Sequence, residues 1–302
     1  MTTGGGGPIP SPPTGSVPGL ALADAGAVLE RLAPALLLSD VDGTLVGRDG
    51  SLLADLDGTP TLVAAEALVA AQVAGLEVVL VSGRTAAQLR ETGRLLGTRD
   101  AIAELGTVLV RGRAAELVWG DAPRDLGACP AEALERSGAL AVLLEAFAGR
   151  LEPHTPWHLG RRGTCLLRGQ VDPAAADALL AGRGLGWARL LDNGRLRGAY
   201  PHLGPGPTHA YHLLPAGVSK AGTAAAYLAG RALAATRAAA VGDSPADLEL
   251  AGVVGAMFLV ANGAWAAGDG DPGTPVIVTP SAAGQGWAEA VTALLARMPQ
   301  DR

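Results

Sequence analysis

The sequence predicts an α/β protein, a doubly wound parallel sheet of Rossmann type carrying an inserted second α/β segment. Three observations support this reading. Short apolar runs alternate with helical stretches near both ends of the chain. Between about 109 and 214 that rhythm breaks, and this stretch holds all five histidines and both cysteines. Several apolar runs end in polar residues, and ligands of open α/β sheets bind beyond the carboxyl ends of the strands.

The chain opens on a Gly/Pro/Ser-rich tail over 1–20, too poor in apolar side chains to order itself. It lacks the basic start and apolar stretch of a signal peptide. Ala21 to Leu32 reads as a short helix stopped near Pro34, and Ala35 to Ser39 as a strand. Thr61 to Leu76 places apolar residues at helical intervals, with Gly75 as its stop. Glu77 to Val81 is a buried strand, Thr85 to Leu96 a helix, and Ala101 to Val110 another strand region.

The pattern resumes with a helix over Lys220 to Leu233 and strands over Ala238 to Val241, Ala256 to Val260 and Val276 to Thr279. An amphipathic helix over Gly286 to Met298 closes it. In between, Thr164 to Leu167 reads as a strand, and Asp172-Pro173 starts a helix over Ala174 to Leu180. The expected organisation is a core from 21–108 and 214–302, with an inserted α/β cap from 109–213.

Composition narrows the function classes. At 302 residues the chain suits two domains. With 49% hydrophobic and only 3% aromatic residues, its core must be mostly Ala, Leu and Val. A net charge of −6 without a Lys/Arg run argues against a nucleic-acid partner. No apolar run reaches the length of a membrane span. Cys129 and Cys165 lack metal-type spacing, which suits a reducing compartment and hence the cytoplasm.

Four polar signals fall at strand or helix ends: Asp40 with Asp42, Ser82-Gly83, Lys220, and Asp243 with Asp247. Singly each has a plain structural reading as a turn, a strand exit, a solvated lysine or a helix cap. Together they supply carboxylates for a divalent cation, a hydroxyl and backbone N–H for phosphate oxygens, and one ammonium. Mg2+ takes hard oxygen ligands, and phosphoryl transfer depends on positioning and charge neutralisation.

The set LLLSDVDGTLV, VVLVSGRT, GVSKAGTA and AVGDSPADLELA resembles the four motifs of the haloacid dehalogenase superfamily of phosphohydrolases. The insert lies between the second and third motifs, as in its Cof-like, sucrose-phosphate-phosphatase-like and mannosyl-3-phosphoglycerate-phosphatase-like branches. The resemblance implies that Asp40 is the nucleophile, forming an aspartyl-phosphate, and that Asp42 is the acid–base. It implies that Thr44 holds the loop, that Thr44, Ser82, Gly83 and Lys220 serve the phosphate, and that Asp40, Asp42, Asp243 and Asp247 bind Mg2+. Asp247 is read as a further ligand or an orienting residue, and Arg84 as a structural neighbour. The sequence departs from the family at Ala246, where many members carry Asn.

Asp55-Leu56-Asp57-Gly58-Thr59 repeats the pattern of Asp40-Val41-Asp42-Gly43-Thr44. The first copy follows a continuous apolar strand, which a rigidly held nucleophile needs. The second follows turn residues, and Thr59 reads as the N-cap of a helix with Pro60 as its first residue. The first copy is therefore the working site.

In the insert, Arg161, Arg162, Arg168, His209 and His212 are the candidates for substrate binding. The arginine pair suits a carboxylate or second phosphate. The reading is a Mg2+-dependent phosphatase for a small phosphorylated metabolite, a sugar phosphate or glycosyl-phosphoglycerate. A phosphotransferase or phosphomutase, or a silent ligand-binding protein, are the alternatives. Oligomeric state is not legible in the sequence.

Overall fold

The computed structural model describes residues 19–264 and 275–298. The first part of the chain forms β1 (Leu20–Ala21), α1 (Gly26–Leu29), β2 (Leu36–Ser39), α2 (Val63–Val73), β3 (Glu77–Val81) and α3 (Ala86–Leu96). It continues through β4 (Asp100–Ala103), β5 (Val108–Arg111) and β6 (Ala114–Leu117). The middle contributes α4 (Pro130–Arg136), α5 (Ala139–Ala146), β7 (Leu151–Pro153), β8 (Cys165–Gly169), α6 (Pro173–Gly182), β9 (Ala188–Arg195) and β10 (His209–Pro215). The last part adds α7 (Lys220–Gly230), β11 (Ala238–Gly242), α8 (Pro245–Leu248), β12 (Ala256–Leu259), β13 (Val276–Val278) and α9 (Ala283–Leu295).

Among the described residues, nine strands form one sheet in the order β1-β13-β12-β11-β2-β3-β4-β5-β6. The pairs from β1 to β4 are parallel, and β5 and β6 extend the edge antiparallel. Helices cover both faces, so the central strands carry continuous buried apolar runs, Leu36–Leu38 in β2, Val78–Val81 in β3 and Ala238–Val241 in β11. Leu36 and Leu38 of β2 pack with Tyr227 and Leu228 of α7 on one face. Leu37 packs with Leu68 of α2 and with Trp287 and Leu294 of α9 on the other.

The remaining four strands form an antiparallel sheet, β7-β8-β10-β9. One face is apolar: Leu167, Leu190, Tyr211 and Leu213 pack with Leu143 of α5 and Leu180 of α6. Since side chains alternate along a strand, Glu152, Arg168, Asn193 and His212 project from the other face. No helix of the described residues is long and apolar enough to cross a membrane.

Several local expectations change. The helix expected over Ala21 to Leu32 shrinks to α1, because Leu20 and Ala21 are extended and pair with Ile277 and Val278 at the sheet edge. The strand region over Ala101 to Val110 is a hairpin, reversed where Glu104, Leu105 and Gly106 take φ of 49°, 58° and 100°. Thr59 is not a helix cap. Its N–H and hydroxyl donate to Asp57, Pro60 bridges to Ala54, and α2 starts only at Val63.

Sheet membership also bears on the insert's limits. β5 and β6 belong to the large sheet through Leu117, and β10 carries the small sheet through Pro215. The Gly/Pro-rich tail lies outside the described residues up to 18, while Leu20 is already in β1.

Candidate active site

β2 is the centre of the large sheet, between β11 and β3, and the chain's connections diverge to either side of it. This is the topological switch point at which open α/β sheets bind ligands. Asp40 follows β2 directly, Ser82 follows β3 and Asp243 follows β11. Lys220 is the first residue of α7, whose N-terminus is capped by the Ser219 hydroxyl accepting from the Gly222 N–H. The fold thus gathers all four polar signals at one end of the sheet.

Lys220 is buried and joins two carboxylates. Its Nζ lies 3.1 Å from Asp40 Oδ1 and 2.7 Å from Asp247 Oδ1. The other Asp247 oxygen accepts the Ser244 hydroxyl at 2.6 Å and the backbone N–H groups of Ser244 and Asp243 at 3.1 and 3.3 Å. Asp247 is therefore fully engaged in shaping the turn that presents Asp243. Carboxylate oxygens of Asp40, Asp243 and Asp247 lie within 4.8 Å of one another.

Three carboxylates face one ammonium, and the titration behaviour follows. Burial, set against the pull of Lys220 and reinforced by Asp247 and Asp42, pushes the Asp40 carboxyl up to about 7. Burial and the charges of Asp40 and Asp247 hold Asp243 well above the usual carboxylate range. Burial disfavours the Lys220 ammonium, but Asp247 and Asp40 outweigh it and keep the amine protonated.

Glycine is required where the loop crosses this group. Gly43 has φ of 85°, and a Cβ there would collide with Asp243 Oδ2. The Gly43 carbonyl and Asp243 Oδ2 both accept from Asn262 Nδ2 at 3.0 Å. Asn262 escaped the sequence reading, although Asn-Gly after the apolar run of β12 marks a further strand end.

The remaining predicted residues divide. Asp42 is not in the carboxylate group; Arg84 donates to it through Nε at 2.8 Å and through Nη2. Thr44 is fully buried and its hydroxyl has no partner among the described residues. Ser82 is buried, its hydroxyl accepting the Arg84 N–H at 3.2 Å. Gly83 lies directly under the small sheet: a Cβ there would stand 3.1 Å from His212 Nε2 and 3.4 Å from Asn193 Nδ2.

Of the five candidates in the insert, the structure brings Arg161 and His212 to the site. Arg161 Nη1 donates to the Gly83 carbonyl at 3.0 Å. Arg162 is exposed and contributes only its backbone N–H. Arg168 is paired with Glu152 and stacked on Tyr200, and His209 is paired with Asp192 at 2.7 Å.

No family model matches the chain. Among curated proteins, a phosphoglycolate phosphatase of Methanoculleus marisnigri is 32% identical over 232 residues, or 75% of this chain and 83% of that one. Among solved structures, the sucrose-phosphatase of Synechocystis, in complex with sucrose and phosphate, gives a TM-score of 0.56 at 16% identity. The match covers 87% of this chain and 98% of that one. A haloacid dehalogenase-like hydrolase from Bacteroides thetaiotaomicron gives 0.58 at 15% identity, over 86% and 98%. At such identities the two structures speak for the fold alone, and the curated relative speaks for descent.

Proposed function

The chain belongs to the haloacid dehalogenase superfamily and is a hydrolase of phosphoric monoesters, and on that premise we propose a Mg2+-dependent, two-step reaction through an aspartyl-phosphate on Asp40. The observation that carries it is the position of Lys220 between Asp40 and Asp247. A buried carboxylate in contact with a buried ammonium, at the end of the central strand, is a nucleophile held in one place.

The donor set fits a hard divalent cation. Three carboxylates gather around one ammonium, and burial, with the neighbouring carboxylates adding to it, raises the Asp40 and Asp243 carboxyls, a cost that a bound cation would relieve. Asp40 and Asp243 would hold the ion, with Asp247 orienting Asp243 and Lys220. The ion would neutralise phosphate charge and keep Asp40 ionised at neutral pH.

In the first step an Asp40 oxygen attacks phosphorus, the ester P–O bond breaks, and Asp42 gives its proton to the leaving oxygen. In the second, Asp42 takes a proton from water, whose oxygen attacks the aspartyl-phosphate; phosphate leaves and Asp40 is restored. The Ser82 hydroxyl, the Gly83 N–H and Lys220 bind the phosphoryl oxygens. The small sheet acts as a cap, roughly from 118 to 216, that closes over Gly83 and contacts the leaving group.

The substrate class is a small phosphorylated metabolite. The relative's name points to phosphoglycolate, and the sucrose-phosphatase points to a sugar phosphate. The cation of Arg161 beside Gly83 favours the acidic class. A phosphate-release screen over phosphoglycolate, sugar phosphates and glycosyl-phosphoglycerates, with Mg2+ or a chelator, tests the reading. Turnover that needs Mg2+ and vanishes in Asp40→Asn supports it; turnover that survives either removal overturns the mechanism.

A further inference from the structure

Glu104 stands apart from the carboxylates that carry the chemistry, yet it is only 1% exposed and densely hydrogen-bonded. Its Oε1 accepts the Arg162 N–H at 3.1 Å. Its Oε2 accepts the N–H groups of Gly163 and Thr164, both at 3.0 Å, and the Thr164 hydroxyl at 3.3 Å. Three consecutive amides from the loop before β8 therefore converge on one side chain of the large sheet's hairpin.

The backbone that delivers this carboxylate is strained. Glu104 and Leu105 both have positive φ, a region disfavoured for L-residues. Surrounding structure enforces it: Leu105 is buried, the Thr223 hydroxyl donates to the Gly106 carbonyl at 2.7 Å, and a Cβ on Gly106 would collide with the Ser219 carbonyl. The same turn thus abuts the start of α7, where Lys220 begins.

What the anchored loop holds in place is Arg161. Its Nε donates to the Trp157 carbonyl at 3.1 Å, and its Nη1 to the Gly83 carbonyl and the Thr164 hydroxyl at 3.0 and 3.2 Å. Its Nη2 has no hydrogen-bond partner among the described residues. The side chain is 5% exposed, and its nearest carboxylate oxygen, on Glu104, is 4.0 Å away, beyond hydrogen-bond reach. Arginine stays charged even so.

Among the described residues the neighbours offer no other charge to satisfy it. His212 is fully buried, Nδ1 on the Thr164 hydroxyl at 3.1 Å, and burial with Arg161 and Lys220 nearby keeps it neutral. His154 is also buried, with Nδ1 unpartnered, and burial with Arg168 and Arg161 nearby lowers its affinity for a proton. A desolvated guanidinium with a free N–H group, beside the turn that receives the phosphate, is a receptor for a second anionic group.

We propose that Glu104 is a positioning residue which fixes Arg161 to bind a carboxylate of the substrate, so that phosphate esters of short hydroxy acids are selected over uncharged esters of the same size. Glu104 itself does not touch the substrate. The inference rests on the phosphatase reading and on Gly83 lying beside the bound phosphoryl group.

The test compares phosphoglycolate with ethyl phosphate, which matches it in size but lacks the carboxylate. In Arg161→Gln the kcat/KM preference for phosphoglycolate falls about 10- to 100-fold, mainly through KM, as loss of one charged hydrogen-bond partner predicts. Arg161→Lys does not restore it, since an ammonium cannot reproduce the fork. In Glu104→Gln an amide NH2 must face N–H donors, and the preference falls in the same direction. Should that variant fold poorly by circular dichroism, Thr164→Val, which removes the hydroxyl bonded to both Glu104 and Arg161, takes its place. An unchanged preference in Arg161→Gln, or equal losses on both esters, overturns the proposal. If the wild type prefers ethyl phosphate, this proposal alone fails; if it hydrolyses no ester, the phosphatase reading fails first.

Discussion

Arg84 pairs with Asp42 apart from Asp40: its Nε donates to Asp42 Oδ2 at 2.8 Å, and that carboxylate lies outside the group formed by Asp40, Asp243 and Asp247. The Asp42 side chain is 55% exposed, so the pair is a surface ion pair. The Asp42 carboxylate is therefore open to solvent on one side, where a leaving oxygen can replace Arg84.

This arrangement separates Asp42 from Asp40 by the type of ester it serves. Asp42→Asn should lower kcat on alkyl phosphates about 10^2- to 10^4-fold, the usual worth of general acid–base catalysis. On p-nitrophenyl phosphate, whose leaving group needs no proton, the first step should suffer far less. Single-turnover kinetics on both esters checks this.

The two Asp-x-Asp-Gly-Thr copies should respond differently. Asp57 accepts the Thr59 N–H at 2.8 Å and its hydroxyl at 3.0 Å in an exposed turn, remote from the carboxylate group. Asp40→Asn should abolish phosphate release with folding intact, whereas Asp55→Asn should retain most of it. Equal losses in two folded variants would reject the assignment of the first copy.

Stability of the metal-free protein should fall as pH rises from about 6.5 to 8. Asp40 is raised in the folded state to about 7 and Asp243 is raised as well. Groups raised on folding stabilise while protonated and lose that contribution as pH climbs through the folded value. Below about 6.5 the sense opposes, because His212 and His154 are held neutral on folding and the unfolded chain takes up their protons. Mg2+ should therefore raise the melting temperature more at pH 8 than at 6.5. Thermal melts with Mg2+ and with chelator at both pH values decide it.

Gly43→Ala should cost both stability and metal. The position has positive φ and no room beside Asp243 Oδ2, so the loop or that carboxylate must move. A loss of about 1–3 kcal/mol is expected from the backbone alone, with weaker Mg2+ binding by calorimetry. Unchanged Mg2+ affinity would show that the loop yields and Asp243 keeps its place.

The parts of this molecule legible in the sequence are those written locally. β2, β3 and β11 carry the continuous apolar runs Leu36–Leu38, Val78–Val81 and Ala238–Val241 because both sheet faces are covered, and the polar residues beyond each run report the site. Asp40, Ser82, Lys220 and Asp243 needed no pairing information. Glu104 and Asn262 did: Glu104 meets amides 58 to 60 residues away, Asn262 meets Gly43 at 219 and Asp243 at 19, and nothing in Ala103-Glu104-Leu105 announces a carboxylate aimed at another sheet's loop. The pairing of Asp42 with Arg84 was equally hidden across 42 residues. Thr59 misled because capping residues and turn residues are the same residues, and the hydroxyl went to Asp57 instead of a helix.

Lys220 is the chain's one lysine. The sole ε-amine in the sequence is thus the ammonium locked between Asp40 and Asp247, out of reach of solvent. Apart from the chain's own terminus, an amine-reactive label finds nothing to acylate on the folded protein, and a lysine-specific protease has a single bond to cut. Acylation or cleavage at 220 therefore reads out opening of the candidate active site, without any engineered reporter.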